Sequence, residues 1–166
     1  TNPRILKAMK ENDILAYIQP VFIDLDMNTV EPAIGARRMD KVYAWKSMLD
    51  MGIHTSGGSD APVVSFDAME NIYFAVTRKN INDQPPEGWI PSEKMSVDEA
   101  VKLFTKNAAY ASYTESENGT IEAGKNADFV ILEKDIYRID PDKIKTTKVD
   151  MTVLGGEIVY ERNGEK

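Results

Sequence analysis

The segment that most constrains the fold covers residues 53–62 and reads IHTSGGSDAP, an apolar start followed by two glycines, a serine and an aspartate. The pattern before it predicts a helix over residues 39–51 that ends at Gly52, and an apolar strand over residues 14–18. Strand, helix and strand with short connections is typical of parallel strands in an α/β protein. We therefore predict that the strand preceding Asp60 runs parallel to the strand that contains Ile18.

Asp60 is the best single candidate for a functional residue. It follows the carboxyl end of a predicted strand, and the carboxyl ends of parallel strands form the edge where α/β proteins place their chemistry. Gly57 and Gly58 allow a sharp turn or a close approach to a ligand, and Pro62 prevents a helix from starting at once. The same residues equally fit a turn in which the aspartate is only a cap.

Composition excludes several functional classes. The chain has 166 residues, a formal charge of -7 and no cysteine. An acidic surface disfavours non-specific binding to nucleic acid or to an anionic membrane, and no apolar run approaches the roughly 20 residues of a membrane span. Without cysteine there is neither a disulfide framework nor a thiolate metal site. No signal-peptide pattern opens the sequence, so we expect a cytoplasmic location.

Further elements follow from the periodicity of apolar residues. A second short strand is predicted over residues 21–23, and helices over residues 3–11, 68–78 and 96–113. The last helix has the strongest signal, because Ser96 and Glu99 have the spacing of a capping box.

Asp24 and Asp26 offer an alternative site. A strand followed by Asp-x-Asp opens the active site of haloacid-dehalogenase-like phosphohydrolases, in which the first carboxylate attacks phosphorus and the second acts as acid and base. That motif usually continues with Gly-Thr, whereas here Met27 and Asn28 intervene before Thr29. A solvated exit from the strand explains the two aspartates as well.

The pattern changes after residue 114 from helical periodicity to short strands separated by glycines. Strands are predicted over residues 129–132, 151–154 and 158–160, the last two joined as a hairpin. We therefore predict two domains, residues 1–114 and residues 115–166, the second being part of a β-sandwich.

Five segments resemble the metal-dependent amidohydrolases, in particular the amidohydrolase-3 group that includes N-substituted formamide deformylases. They are GGSDAP at 57–62, AVTR at 75–78, SVDEA at 96–100, GTIEAGKNADFVIL at 119–132 and VLGGEIVY at 153–160. Each segment alone is a weak signal, whereas five in the same order are a specific one. The resemblance runs from the strand around Gln19 to Tyr160.

The resemblance implies an α/β fold made of the last strands and helices of a (β/α)8 TIM barrel, followed by part of a β-sandwich. A whole barrel needs about 200 residues or more, which this chain does not have. Asp60 would close the eighth strand, where members of the family use the aspartate as a metal ligand and as the acid and base for the attacking water.

The resemblance also implies ligands that this sequence lacks. These are a His-x-His on the first strand, a lysine or its equivalent on the fourth, and histidines on the fifth and sixth, whereas the one histidine here is His54. We interpret His54 as a packed strand residue without a catalytic role. The chain is therefore expected to be the carboxyl-terminal part of such an enzyme and to be inactive by itself. A divalent metal, zinc by the resemblance, is expected in the full-length enzyme and not in this chain alone.

Other polar residues receive weaker assignments. Gln19 ends the predicted strand before residue 20, and Arg78 follows the helix after Asp60, so each is a candidate for binding a polar substrate. A hydrogen-bonded loop anchor is the alternative for both residues. Arg37 and Arg38 fit a solvated helix entrance.

Three functional classes stay open at this point. The first is a hydrolase of carbon–nitrogen bonds in small amides or formamides, the second a phosphohydrolase built on Asp24 and Asp26, and the third a non-catalytic scaffold or partner-binding module. In every case the apolar strands would have unpaired edges in an isolated chain. We therefore expect self-association through these edges.

Overall fold

The computed structural model describes residues 1–162 and residue 164 and shows helices alternating with two small sheets. The helices are α1 (Pro3–Glu11), α2 (Phe22–Asp26), α3 (Val30–Ile34), α4 (Trp45–Asp50), α5 (Ala68–Thr77), α6 (Val97–Leu103) and α7 (Lys106–Ala111). Short 3-10 helices span Ala36–Lys41, Pro91–Glu93 and Pro141–Thr146. The strands are β1 (Ala16–Ile18), β2 (Thr55–Gly57), β3 (Phe129–Leu132), β4 (Val149–Leu154) and β5 (Glu157–Glu161).

The first sheet is a parallel pair formed by β1 and β2, as the order of strand, helix and strand predicts. Ala16 lies opposite Thr55 and Ile18 lies opposite Gly57. One further backbone hydrogen bond, from the amide of Gly58 to the carbonyl of Ile18 at 2.9 Å, extends the pairing beyond the strands. The prediction of parallel strands is confirmed.

The predicted strand over residues 21–23 is wrong. The amides of Phe22 and Ile23 donate to the carbonyls of Gln19 and Pro20, and the chain enters helix α2 at once. Ile23 is still completely buried. A short apolar run signals burial without distinguishing a strand from a helical turn, which explains the error.

Two predicted helices are shorter than expected. Only Trp45–Asp50 of residues 39–51 is α-helical, because Tyr43 has a positive φ of 45° that separates α4 from the preceding 3-10 helix. The predicted helix over residues 96–113 breaks at Phe104 and Thr105 into α6 and α7. Its capping box is present, with the Ser96 side chain accepting from the amide of Glu99 and the Glu99 carboxylate accepting from the amide of Ser96.

The core is organised around α5, whose residues from Met69 to Thr77 are buried except Glu70. Ile18, Ile23 and Leu103 pack in the same apolar cluster, and so do Ile136 and Ile144 from beyond residue 114. Both parts of the chain therefore contribute to one core. The division into domains at residue 115 stays a prediction.

The second sheet is antiparallel and has the order β3-β4-β5. Its pairing includes an irregularity between Ile131 and Leu132 and another between Thr152 and Val153. The predicted hairpin across residues 155–157 is confirmed in outline, since β4 runs to Leu154 and β5 begins at Glu157. Among the helices that the structure describes, none is long and apolar enough to cross a membrane.

Candidate functional site

Asp60 lies beyond the carboxyl end of β2, on the edge at which β1 also ends. Its side chain is exposed, and its backbone has a positive φ of 62°. Aspartate tolerates this left-handed conformation better than most residues. The turn is held by local hydrogen bonds, from the amide of Ala61 to Ser59 Oγ at 3.3 Å and from the amide of Val63 to the Asp60 carbonyl at 3.0 Å.

The end of β2 is fixed by close packing against α6. A Cβ atom at Gly57 would lie 2.7 Å from Cζ of Phe104 and 3.1 Å from Cβ of Leu103. Gly58, by contrast, has nothing within 4 Å of an added Cβ. The first glycine is therefore required by the approach of strand and helix, and the second is not.

Two asparagines fix the backbone at this sheet, and the sequence analysis missed both. Asn107 of α7 donates from Nδ2 to the carbonyl of Thr55 at 2.9 Å. Buried Asn71 of α5 accepts from the amide of Val21 at 3.2 Å and so holds the segment that follows β1. An amide at a buried position of an apolar helix is the signal that could have revealed Asn71, because buried polar groups need hydrogen-bond partners.

Gln19 follows β1 directly and is half-buried. Since β1 and β2 are parallel and in register, Gln19 and Asp60 leave the sheet at the same edge. The structure thus places these two candidates on one side of the molecule. The role of Gln19 in binding a polar substrate stays a prediction.

Arg78 lies in the protein interior. It is completely buried, its Nε donates to the carbonyl of Trp89 at 3.0 Å, and its Nη1 donates to the carbonyl of Tyr43 at 3.2 Å. The guanidinium also lies 5.1 Å from the ring centroid of Trp45 and 5.5 Å from that of Trp89. Burial lowers its pKa to about 10, so the group keeps its charge at neutral pH. These contacts are those of a loop anchor and do not favour contact between Arg78 and a substrate.

Asp24 and Asp26 make structural hydrogen bonds. Asp24 accepts from the amide of Ile81 at 2.7 Å, and Asp26 accepts from the hydroxyl of Tyr43. Burial and the hydrogen bond to Asp26 raise the pKa of Tyr43. Both aspartates lie on helix α2 and not after a strand, so the geometry that would open a phosphohydrolase site is not formed here.

His54 precedes β2 at the end of the strand opposite to Asp60. Its ring stacks on Tyr110 with centroids 4.2 Å apart, and Nε2 lies 3.7 Å from Oδ1 of Asp13. The structure thus keeps His54 away from the candidate site. Arg37 and Arg38 are exposed on the 3-10 helix that precedes α4.

Within residues 1–162 and 164, no group of three or more His, Cys, Asp or Glu side chains could hold a metal ion. A catalytic zinc site keeps three protein ligands and an open position, and Asp60 alone supplies one carboxylate. The residues described here therefore do not fit a complete metal site. Asp60 is at most one ligand of a site whose remaining ligands come from elsewhere.

A parallel strand pair covered by helices, with an exposed carboxylate after the second strand, defines an α/β protein with a candidate acidic site at the carboxyl edge of its sheet. The sequence profile of the amidohydrolase family, in its amidohydrolase-3 group, matches residues 1–160. The chain therefore belongs to the amidohydrolase family.

Individual proteins agree with this assignment. The protein YtcJ of Bacillus subtilis, named as an amidohydrolase, is 38% identical over 146 residues, which cover 88% of this chain and 28% of YtcJ. The N-substituted formamide deformylase of Arthrobacter pascens is 36% identical over 124 residues, which cover 75% of this chain and 22% of that enzyme. The chain thus spans about a quarter of the length of these relatives.

Solved structures show the same fold. An uncharacterised metal-dependent hydrolase of Pyrococcus horikoshii matches with a TM-score of 0.75 and 20% identity, over 85% of this chain and 28% of that protein. Guanine deaminase of E. coli matches with a TM-score of 0.70 and 16% identity, over 98% of this chain and 35% of the deaminase.

Proposed function

We propose that this chain is the carboxyl-terminal part of a metal-dependent hydrolase that cleaves carbon–nitrogen bonds in small amides or formamides. The observation that carries the proposal is the position of Asp60. It is an exposed carboxylate after β2, at the carboxyl edge of a parallel pair, in a chain of the amidohydrolase family. The identity of 36% with an N-substituted formamide deformylase supports the choice of bond.

In this proposal β1 and β2 are the last two strands of a TIM barrel, and β3–β5 belong to a β-sandwich. Hydrolysis requires that water attack the carbonyl carbon, that a base take a proton from the water, and that the nitrogen leave as an amine. Asp60 is suited to the proton transfer because a carboxylate at an open edge can reach both water and substrate. We derive no step through a metal, since this chain does not form a metal site.

Zinc or another divalent cation would then be bound mainly by residues outside this chain. The 166 residues alone are expected to be inactive and to bind no stoichiometric metal. Gln19 would face the polar part of the substrate from the same edge. A cytoplasmic enzyme acting on a small diffusible amide is the cellular setting that we propose.

The test compares the 166-residue chain with the full-length protein in which the segment occurs. Both are incubated with zinc and N-benzylformamide, and released benzylamine is measured. We expect activity from the full-length protein alone, lowered about 10²–10⁴-fold by Asp60→Asn, the range of general acid–base catalysis. Asp40→Asn, which changes an exposed carboxylate on a 3-10 helix, is the control and leaves the rate unchanged.

Two outcomes count against the proposal. An unchanged rate in the Asp60→Asn variant would remove the aspartate from the reaction. A full equivalent of zinc on the 166-residue chain, lost on Asp60→Ala, would show that the chain forms its own metal site. Asp24→Asn is assayed alongside with a phenyl phosphate ester and magnesium, and activity that disappears in this variant would favour a phosphohydrolase.

A further inference from the structure

The antiparallel sheet has two outer strands without a partner among the described residues. Its order is β3-β4-β5, so β4 is paired on both sides, whereas β3 and β5 each pair on one side. An outer strand presents unpaired backbone N–H and C=O groups and can accept a strand from another chain. The two outer strands of this sheet differ in their surroundings.

Strand β3 forms one wall of an apolar groove of about 940 Å³. Val130 and Ile131 line it from the strand, Phe104 and Ala108 from the facing helices, and Ile136 from the segment that follows β3. Val130 and Ile131 are 51% and 46% exposed, so apolar side chains next to a free backbone edge are open to solvent. This is the arrangement in which an added strand both continues the sheet and covers apolar surface.

Strand β5 is the opposite case, since all five of its residues are exposed. Ile158, Val159 and Tyr160 form a continuous apolar run in it, with 48%, 57% and 48% of their surfaces exposed. No helix covers this strand among the elements that the structure describes. β5 is therefore accessible as a donor strand, and β3 lies in a groove that could receive one.

We propose that the chain self-associates head to tail, with β5 of one copy added to the sheet beside β3 of the next copy. Contact between two β5 strands is disfavoured, because antiparallel pairing about Val159 places Glu157 of one copy opposite Glu161 of the other. Like charges directly opposite each other destabilise a strand pair. β3, with the sequence FVIL, carries no charge and has no such conflict with β5.

The contact is short and therefore weak. β3 has four residues, and β5 carries a bulge at Val159, where Thr152 pairs with Tyr160 and Val153 pairs with Ile158. Bulges bend an outer strand and limit the length over which another strand can pair. Because donor and acceptor edges differ, the contact does not close on itself as a symmetric dimer, and copies add in series.

The experiment uses three valine-to-lysine variants of the 166-residue chain. Val130→Lys charges the groove beside β3, Val159→Lys charges β5, and Val63→Lys is the control at an exposed valine outside the sheets. Sedimentation measures the average mass between about 10 μM and 1 mM, the range of weak association. We expect the mass of the unmodified chain and of Val63→Lys to rise with concentration, and the other two variants to stay monomeric.

Mixing gives the decisive result. Val130→Lys keeps an intact β5 and Val159→Lys keeps an intact β3, so an equal mixture should form dimers and nothing larger. A mixture that stays monomeric would overturn the proposal. So would Val159→Lys that self-associates alone, since contact would then involve two β3 strands or the edges of β1 and β2. A natural chain that is monomeric throughout the range would also overturn it.

A second measurement does not depend on how well the lysine variants fold. The chain has no cysteine, so Val130→Cys and Val159→Cys each introduce a single thiol. A short bismaleimide should link the two variants to each other more efficiently than it links either to itself. Equal linking in all three samples, with urea unfolding confirming folded protein, would contradict a contact between β3 and β5.

Discussion

Replacing Gly57 by alanine tests whether the tight approach of β2 and α6 fixes the position of the site. An added Cβ would lie 2.7 Å and 2.8 Å from two ring atoms of Phe104 and 3.1 Å from Cβ of Leu103. Leu103 is completely buried, so it has no room to move, whereas Phe104 is only half-buried. The strain must be relieved by a shift of the Phe104 ring, of α6 or of β2 itself.

The expected cost follows from the cost of overpacking a core. Adding a methyl group to well-packed surroundings destabilises by about 1–3 kcal/mol. Gly57 has no positive φ, so backbone strain adds nothing to this value. For a chain of this size, 1 kcal/mol corresponds to a change in Tm of about 2–4 °C.

Gly58→Ala is a matched control one residue away. It adds the same methyl group where nothing lies within 4 Å, again without a positive φ. The amide that donates to Ile18 is retained. Reduced flexibility of the unfolded chain should make this variant neutral or more stable by up to about 1 kcal/mol.

Urea unfolding followed by circular dichroism measures both variants. We expect a lower midpoint for Gly57→Ala, an unchanged midpoint or a higher one for Gly58→Ala, and similar slopes. Adding Phe104→Leu to Gly57→Ala should recover part of the loss, because the shorter side chain makes room for the methyl group. If the two glycine variants unfold at the same urea concentration, the packing argument fails.

Two further variants probe charged groups away from the candidate site. Arg78→Met should lower the free energy of unfolding by about 2–5 kcal/mol, because it leaves the carbonyls of Tyr43 and Trp89 without donors; a loss below about 0.5 kcal/mol in urea unfolding, the range of ordinary surface changes, would contradict the anchoring role. Hydrogen bonds from Lys145 and Tyr73 hold the pKa of Asp83 below its ordinary 3.8, so the stabilisation is complete above that pH and is lost as the pH falls below it. The stability of Asp83→Asn should fall less steeply in acid, and profiles of equal slope for variant and natural chain would refute this.

The sequence predicted the elements whose signals are local. The parallel arrangement of β1 and β2 followed from their order around a helix, and the capping box at Ser96 followed from the spacing to Glu99. The resemblance to amidohydrolases rested on whole segments, which single substitutions between relatives do not erase. All three predictions are confirmed, and none of them requires knowledge of distant contacts.

The errors arose where distant contacts decide the local structure. Residues 21–23 are as apolar as a strand, but the helical turn is held by Asn71, fifty positions away in the chain. The side chain of Arg78 could be assigned to substrate or to structure from the sequence alone. Its burial between Trp45 and Trp89 depends on three separate segments meeting.

The arrangement around Asp60 shows how this chain divides its polar groups. Buried polar side chains are spent on holding the backbone, as in the bond from Asn107 to the carbonyl of Thr55. Asp60 itself is exposed at the end of the strand that this bond and Gly57 hold in place. A carboxylate that is positioned by its backbone and left open to solvent can bind a partner supplied from outside. That is the division expected of a residue that completes a site and does not form one alone.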